Sequence, residues 1–159
     1  MAFLAKYIDE KFIVYKDDSV FGWISFDHKL VSATIFVDGK EYRAEPESAT
    51  EKDIVMRQDG LTLFKFKFDY LWGGAELHIN GKDTGYEITG KWFKKGTRFV
   101  DANANDLVLA VSDESRIPQT KITIVDESEA TPLMIMATLY YHIYTSASKR
   151  FSVFMGSLT

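Results

Sequence analysis

Hydrophobic positions alternate with polar ones along much of the chain, at a period of two residues. The clearest run is Thr62-Leu-Phe-Lys-Phe-Lys-Phe-Asp-Tyr70. Its phenylalanines and Tyr70 share one face, whereas its lysines and Asp69 share the other. This alternation is typical of a β-strand with one buried face and one face in water. The run therefore predicts a half-buried strand over 61–70.

Turn signals separate the strand-length runs. Asp38-Gly39, Asp59-Gly60 and Asn80-Gly81 supply the positive φ angles that tight hairpin turns need. Asp17-Asp18-Ser19 and Gly73-Gly74 mark two further reversals. The intervals predict about eleven strands: Phe12–Lys16, Val20–Phe26, Ser32–Val37, Glu41–Ala44, Asp53–Arg57, Leu61–Tyr70, Ala75–Ile79, Gly85–Thr89, Arg98–Asp101, Leu107–Ser112 and Lys121–Val125.

The pattern changes near the C-terminus. Pro132-Leu-Met-Ile-Met-Ala-Thr-Leu-Tyr-Tyr-His-Ile-Tyr144 is uncharged and apolar on every side, and a helix without a polar face must be surrounded by protein or lipid. Pro132 suits the first turn of a helix, and Thr131 suits the N-cap. The segment predicts a helix over about 132–144, followed by a tail at 145–159.

Three locations are open for this helix: inside a barrel, packed on its exterior, or in a membrane. A barrel of eleven or twelve strands encloses a wide lumen, and a helix with its side chains is about 10–12 Å across. The strongly apolar stretch is only about 13 residues, whereas spanning a bilayer takes about 20. These lengths favour the barrel interior and argue against a membrane-spanning segment.

We therefore predict an all-β protein with a single domain over 1–159. Its core is a closed barrel of about twelve strands, placed at about 12–125, around a buried hydrophobic C-terminal α-helix. The length of 159 residues fits one domain, and a 46% hydrophobic content is sufficient for a real core. Aromatic residues make up 14% of the chain, which favours strands.

Composition excludes several kinds of chemistry. The chain has no cysteine, which rules out disulfides, thiolate metal sites and a cysteine nucleophile. The net charge of −4 argues against general nucleic-acid binding. The N-terminal segment Met1-Ala-Phe-Leu-Ala-Lys6 reaches a charged residue before its apolar run is long enough for a signal peptide. These features predict a cytoplasmic protein, peripheral to a membrane if it binds lipid.

The strongest candidate for ligand binding is Lys91-Trp-Phe-Lys-Lys-Gly-Thr-Arg98, which has four positive charges and two aromatic residues but no acid. Positive side chains attract phosphate, and tryptophan is common at membrane interfaces. Stacking on a nucleic-acid base is a second interpretation. A simple hairpin, with Trp92 or Phe93 in the core and lysines in water, is the third. The residues assigned to an anionic ligand are Lys91, Trp92, Lys94, Lys95 and Arg98.

No enzymatic motif, metal site or cofactor is predicted. The chain lacks a Gly-x-Ser-x-Gly elbow, a phosphate-binding glycine loop and a His-Glu-x-x-His pair. His142 lies on the apolar helix, where we expect a core histidine that is hydrogen-bonded to the barrel wall. The sequence does not exclude a pair of catalytic carboxylates that the fold brings together. An enzyme with a site assembled from loops is therefore a further hypothesis.

Three segments together resemble a known family. They are Tyr86-Glu-Ile-Thr-Gly-Lys-Trp-Phe93, Phe99-Val-Asp-Ala-Asn103 and Leu107-Val-Leu-Ala-Val111. Followed by a strand and an apolar helix, they are similar to the tubby-like superfamily, specifically its LURP-one-related and phospholipid scramblase branch. Gly90, Asp101 and the 107–111 strand are the most specific positions. The resemblance extends over about 12–144 and implies a twelve-stranded barrel around a central helix.

For function, the resemblance implies a non-enzymatic binding or adaptor domain that contacts anionic phospholipid or a membrane-associated partner. Scramblases also have a cysteine-rich segment and a calcium-binding segment. This chain has no cysteine and no Asp-x-Asp-x-Asp-Gly loop, which argues against scramblase activity. The alternative is a structural or protein-interaction module without a small-molecule ligand.

Overall fold

The computed structural model describes residues 1–49, 52–69, 74–91, 94–113 and 119–158. This part of the chain forms an antiparallel barrel and a C-terminal helix. The elements are β1 (Ala2–Ile8), β2 (Lys11–Lys16), β3 (Ser19–Phe26), β4 (Ala33–Val37), β5 (Lys40–Pro46), β6 (Ile54–Gln58), β7 (Leu61–Phe68), β8 (Ala75–Ile79), β9 (Lys82–Lys91), β10 (Lys94–Val100), β11 (Asp106–Ser112), β12 (Gln119–Ile124) and α1 (Pro132–Leu158).

Each strand pairs with its neighbour in sequence, and β1 pairs with β12 to close the barrel. Ala5, for example, lies opposite Val14 on one side and Thr120 on the other. Because successive side chains of a strand point to opposite faces, one residue in two fills the interior. In β7, Phe64 and Phe66 are buried, whereas Lys67 on the opposite face is exposed. The predicted twelve-stranded all-β barrel is confirmed.

Residues 135–143 of α1 lie inside this barrel. Tyr140 stacks on Phe26 of β3 at a centroid distance of 5.4 Å, and Tyr141 meets the ring of Phe66 of β7 edge-on at 5.8 Å. His142 reaches the opposite wall, where it contacts β10 and β11. A helix that touches strands around the whole circumference is enclosed by them. This explains why its surface has no polar face.

The start of the helix also follows the prediction. The Thr131 hydroxyl accepts a hydrogen bond from the Met134 N–H at 3.3 Å, which makes Thr131 the N-cap. Met136 is fully buried. Its methyl group would lie 3.1 Å from a Cβ at Gly22, so glycine in β3 leaves the space that this side chain fills.

Two boundaries differ from the predictions. The helix continues to Leu158, so the backbone at 145–158 is helical rather than a separate tail. The barrel starts at Ala2 rather than near residue 12, since it includes β1, a strand that the sequence pattern did not predict. The β1–β2 turn consists of Asp9 and Glu10, with φ of 52° and 65°. It has the positive φ angles of a tight hairpin but no glycine to mark it.

Smaller differences affect two other strands. β7 ends at Phe68, and Tyr70 of the predicted strand lies outside the described residues. Gly73 of the predicted turn also lies outside them, whereas Gly74 has the expected positive φ, at 74°. β10 starts at Lys94, ahead of the predicted start at Arg98, because Lys94 already pairs with Lys91 of β9.

Alternate connections lie at opposite ends of the barrel. The turn end has the short turns at 17–18, 38–39, 59–60 and 80–81. The loop end has the connection at 27–32 and the β9–β10 hairpin. The Tyr140 hydroxyl donates a hydrogen bond to the Val31 carbonyl, which ties the helix to the loop end. Within the described part of the chain, no helix is long and apolar enough to cross a bilayer.

The buried tyrosines predict a loss of stability at alkaline pH. Burial raises the pKa of Tyr140 and of Tyr141 above the ordinary value of 10.0. Above about pH 10 the unfolded chain therefore loses protons that the folded protein keeps. These two tyrosines do not change the stability below that pH. It then falls by about 1.4 kcal/mol per pH unit per tyrosine as the pH rises toward the folded pKa values.

Urea unfolding at a series of pH values measures this slope. Tyr140→Phe removes one of the two groups, so the variant should lose stability less steeply above pH 10 than the unmodified chain does. Equal slopes for the two proteins would contradict the assignment. A comparison at pH 7 gives the separate cost of losing the hydrogen bond to Val31.

Candidate functional site

The predicted basic segment forms the β9–β10 hairpin at the loop end of the barrel. Lys91 ends β9, Lys94 begins β10, and their Cα atoms are direct cross-strand partners. Lys95 follows in β10. Only the backbone is described at these three lysines, and Trp92 and Phe93 lie outside the described residues. The backbone register thus brings together the lysine positions that the sequence analysis assigned to an anionic ligand.

Arg98 is separate from these lysines. Its side chain is only 8% exposed, and its guanidinium forms an ion pair with Asp106 on β11, whose side chain is 23% exposed. The next residues of β10, Phe99 and Val100, are also buried. Since the Arg98 charge is compensated inside the barrel wall, we leave this residue out of the ligand-contacting set.

Gly96 shapes the hairpin between its two ends. It has a φ of 105°, and the pairing of β9 with β10 shifts register between Lys94 and Thr97. A Cβ at Gly96 would lie 2.4 Å from the Ala110 carbonyl oxygen of β11. Glycine therefore allows both the bulge and the close approach of β10 to β11.

A buried polar cluster lies inside the barrel near this hairpin. His142 Nδ1 is 2.9 Å from Thr97 Oγ1, and His142 Nε2 is 2.7 Å from Ser112 Oγ. Ser112 Oγ is in turn 2.9 Å from Thr120 Oγ1. The prediction of a core histidine bonded to the barrel wall is confirmed. A satisfied buried network of this kind fixes the helix in one position and one rotation relative to the strands.

The 2.7 Å distance between Ser112 Oγ and His142 Nε2 is similar to that between a catalytic serine and its general base. His142 is only 7% exposed, however, and both of its ring nitrogens are bonded to wall hydroxyls. A general base must be able to reach a proton of the substrate. The cluster therefore serves to position the helix.

The outer wall has a surface that the sequence analysis did not identify. Ile13, Trp23 and Phe36 are register partners across β2, β3 and β4, on the face that points away from the helix. The Trp23 and Phe36 rings stack at 5.6 Å, and the Lys11 ammonium lies 4.2 Å above the Trp23 ring. Phe36 is 37% exposed. This surface could have been found in the sequence, because Trp23 and Phe36 occupy strand positions that point outward, where polar residues are expected.

Asp101, one of the positions behind the family resemblance, has a structural role in the β10–β11 connection. Its carboxylate accepts hydrogen bonds from the N–H groups of Asn103 and Asn105, each at 2.9 Å. These hydrogen bonds hold the pKa of Asp101 below its ordinary value, and the bond from the Asn105 N–H has the larger effect. An aspartate that bonds to the following N–H groups is a common way to form a tight connection.

Comparison with known proteins identifies the fold alone. No protein-family model and no curated protein matches the chain. The barrel is similar to an X-ray structure of a protein from Arabidopsis thaliana, with a TM-score of 0.54 and 10% sequence identity. The match covers 85% of this chain and 87% of the Arabidopsis chain. At that identity the similarity shows a shared architecture.

Proposed function

We propose that this protein is a non-enzymatic binding or adaptor domain that contacts anionic phospholipid through its β9–β10 hairpin. The observation that supports the proposal is the direct pairing of the Lys91 and Lys94 backbones at the loop end of the barrel. With Lys95 next in β10, three cationic positions are concentrated at one hairpin. Trp92 lies between them in the sequence and would suit the interface of a bilayer.

The expected affinity depends mainly on charge. Each lysine near an anionic membrane contributes about 1 kcal/mol, and the attraction is screened by salt. Three lysines on a protein with a net charge of −4 would give reversible, peripheral binding. The protein would then be cytoplasmic and would bind to or leave the membrane as the lipid composition or the ionic strength changes.

A distant relationship to the tubby-like superfamily, in its LURP-one-related branch, belongs to the same proposal. The twelve-stranded barrel around an apolar helix is the architecture that the resemblance implies. The position of Asp101 in a tight connection gives a physical reason why this part of the sequence pattern is needed. Both features support a relationship in fold.

Co-sedimentation with vesicles tests the lipid contact. We expect binding to vesicles that contain phosphoinositide, weaker binding at high salt, and none to neutral vesicles. Lys94→Glu/Lys95→Glu should lower the affinity by at least about tenfold, because two attractive charges become repulsive. The matched control is Lys40→Glu/Lys121→Glu, which makes the same charge change at exposed positions of β5 and β12.

The control distinguishes a local site from the effect of net charge. Equal losses in the two double variants would contradict a site at the hairpin. Absence of binding by the unmodified chain to any anionic vesicle would remove the lipid proposal altogether.

The second candidate function is a protein-interaction module, and the aromatic surface of Ile13, Trp23 and Phe36 favours it. Aromatic residues are enriched where protein partners bind. Capture of a partner that is retained by Lys94→Glu/Lys95→Glu but lost on Trp23→Ser would support this function. If both variants still captured the partner, neither surface would be the site of partner binding.

A further inference from the structure

A mixed cluster of metal-ligand side chains lies on the outer wall, away from the basic hairpin. Glu76 and His78 are two residues apart on β8, so both point outward. Asp83 on β9 is the register partner of His78. One ligand atom from each of these three side chains can be chosen so that all lie within 4.8 Å of one another.

The local backbone holds the cluster in place. The pairing of β8 with β9 shifts register between Glu76 and His78, which brings Asp83 beside the histidine. The Asp83 carboxylate accepts a 2.8 Å hydrogen bond from the Gly85 N–H, and the Thr84 hydroxyl bonds to the Leu77 carbonyl at 2.8 Å. The cluster thus lies on a paired strand with an ordered bulge.

Negative charge accumulates at this position. Glu87 on β9 is the direct register partner of Glu76, and like charges opposite each other destabilise a sheet. Asp83 adds a third carboxylate to this part of the surface, with a ligand atom within 4.8 Å of those of Glu76 and His78.

Two lysines of β7 are register partners of cluster residues. Lys65, the register partner of His78 on β7, forms an ion pair with Glu47 at 3.1 Å. Lys67 is the register partner of Glu76. Over the part of the chain that the structure describes, neither lysine forms an ion pair with Glu76 or Asp83, and Glu76 instead contacts His78 at 3.3 Å.

We propose that Glu76, His78 and Asp83 bind a divalent first-row transition-metal ion, for which Zn²⁺ is the appropriate probe. One imidazole nitrogen and two carboxylate oxygens are a donor set that suits zinc, whereas magnesium and calcium prefer oxygen alone. Ligands on a tetrahedral zinc ion lie about 3.4 Å apart at bonds of about 2.1 Å. His78 and Glu76 already have that spacing, with 3.3 Å between His78 Nε2 and Glu76 Oε2. Because all three ligand atoms lie within 4.8 Å of one another, a side-chain movement of up to about 1.4 Å would bring Asp83 to the same spacing.

The site would sit at the surface, with its fourth position open to water. The sequence did not predict it, because Glu76-x-His78 followed by Asp83 matches no familiar ligand spacing. The pairing of β8 with β9 creates the cluster. The alternative is that His78 and Glu76 form only their 3.3 Å contact and bind no metal, in which case added zinc leaves the His78 signals unchanged.

Titration of the full chain with Zn²⁺, followed by calorimetry and by the imidazole NMR signals, tests the proposal. We expect one zinc per chain, a selective shift of the His78 signals, and no competition from excess Mg²⁺ or Ca²⁺. His78→Gln and Asp83→Asn should each lower the affinity by at least about tenfold. Binding should also weaken as the pH falls, because the ligand nitrogen must be unprotonated.

His28→Gln is the matched control, because His28 is an exposed histidine outside the cluster. It should leave zinc affinity unchanged. Zinc binding that is the same in His78→Gln, or that is lost equally in His28→Gln, would overturn the proposal. A higher melting temperature with Zn²⁺ in the unmodified chain, absent in a folded Asp83→Asn variant, gives a second measurement of the same site.

Discussion

Ile135→Asp is expected to lower the free energy of unfolding by more than about 4 kcal/mol. Ile135 is 5% exposed and lies one turn after the Thr131 N-cap, on a helix that the barrel encloses. A carboxylate there would lose its hydration without an assured partner, and burial of an unpaired charge is among the most destabilising single changes known. The loss is comparable to the entire stability of many domains. We therefore expect the variant to be largely unfolded.

Leu61→Asp is the matched control, because Leu61 is 72% exposed at the start of β7. The same type of change at that position should alter stability by less than about 0.5 kcal/mol. Urea unfolding of the two variants measures the difference. An Ile135→Asp protein that unfolds cooperatively at nearly the original urea concentration would show that the helix is not enclosed by the strands.

The helix could be predicted because its sequence has no polar face. From residue 132 to 144 the most polar side chain is that of His142, and the structure provides it with two hydroxyl partners. The partners themselves could not be predicted. Thr97 and Ser112 lie on strands far from His142 in the sequence, and their contact depends on how far the helix extends through the barrel.

Turn chemistry explains which strands could be predicted. The turns at Asp38-Gly39, Asp59-Gly60 and Asn80-Gly81 have glycine where φ is positive, and they were located correctly. Asp9-Glu10 forms its turn without glycine, at a higher conformational cost. Tertiary closure of the barrel through β1 and β12 offsets that cost, and a local pattern contains no information about closure.

The candidate site shows the same division between local and tertiary information. The sequence located the cluster of positive charge, and the register of β9 and β10 explains why Lys91 and Lys94 are neighbours. The sequence could not separate Arg98 from these lysines. Its partner, Asp106, is on the next strand, and only the pairing of β10 with β11 makes the two residues neighbours.

The ion pair of Arg98 with Asp106 leads to the second large effect. Asp106→Ala is expected to lower the free energy of unfolding by about 3 kcal/mol or more, because it leaves a buried guanidinium without its main counterion. The Arg98 side chain is only 8% exposed, so water cannot replace the lost carboxylate fully. Thermal and urea unfolding of the variant would measure the loss. A change below about 1 kcal/mol would mean that the pair behaves as an exposed one does.

A double variant separates the charge from the packing. Arg98→Met/Asp106→Leu removes both charges and keeps apolar volume, and buried ion pairs replaced in this way often lose little stability. We therefore expect the double variant to recover most of what Asp106→Ala loses. Because it leaves Lys91, Lys94 and Lys95 in place, it should also keep any binding to anionic vesicles. A folded double variant that no longer binds such vesicles would return Arg98 to the ligand-contacting set, and one that binds normally would establish its role as structural.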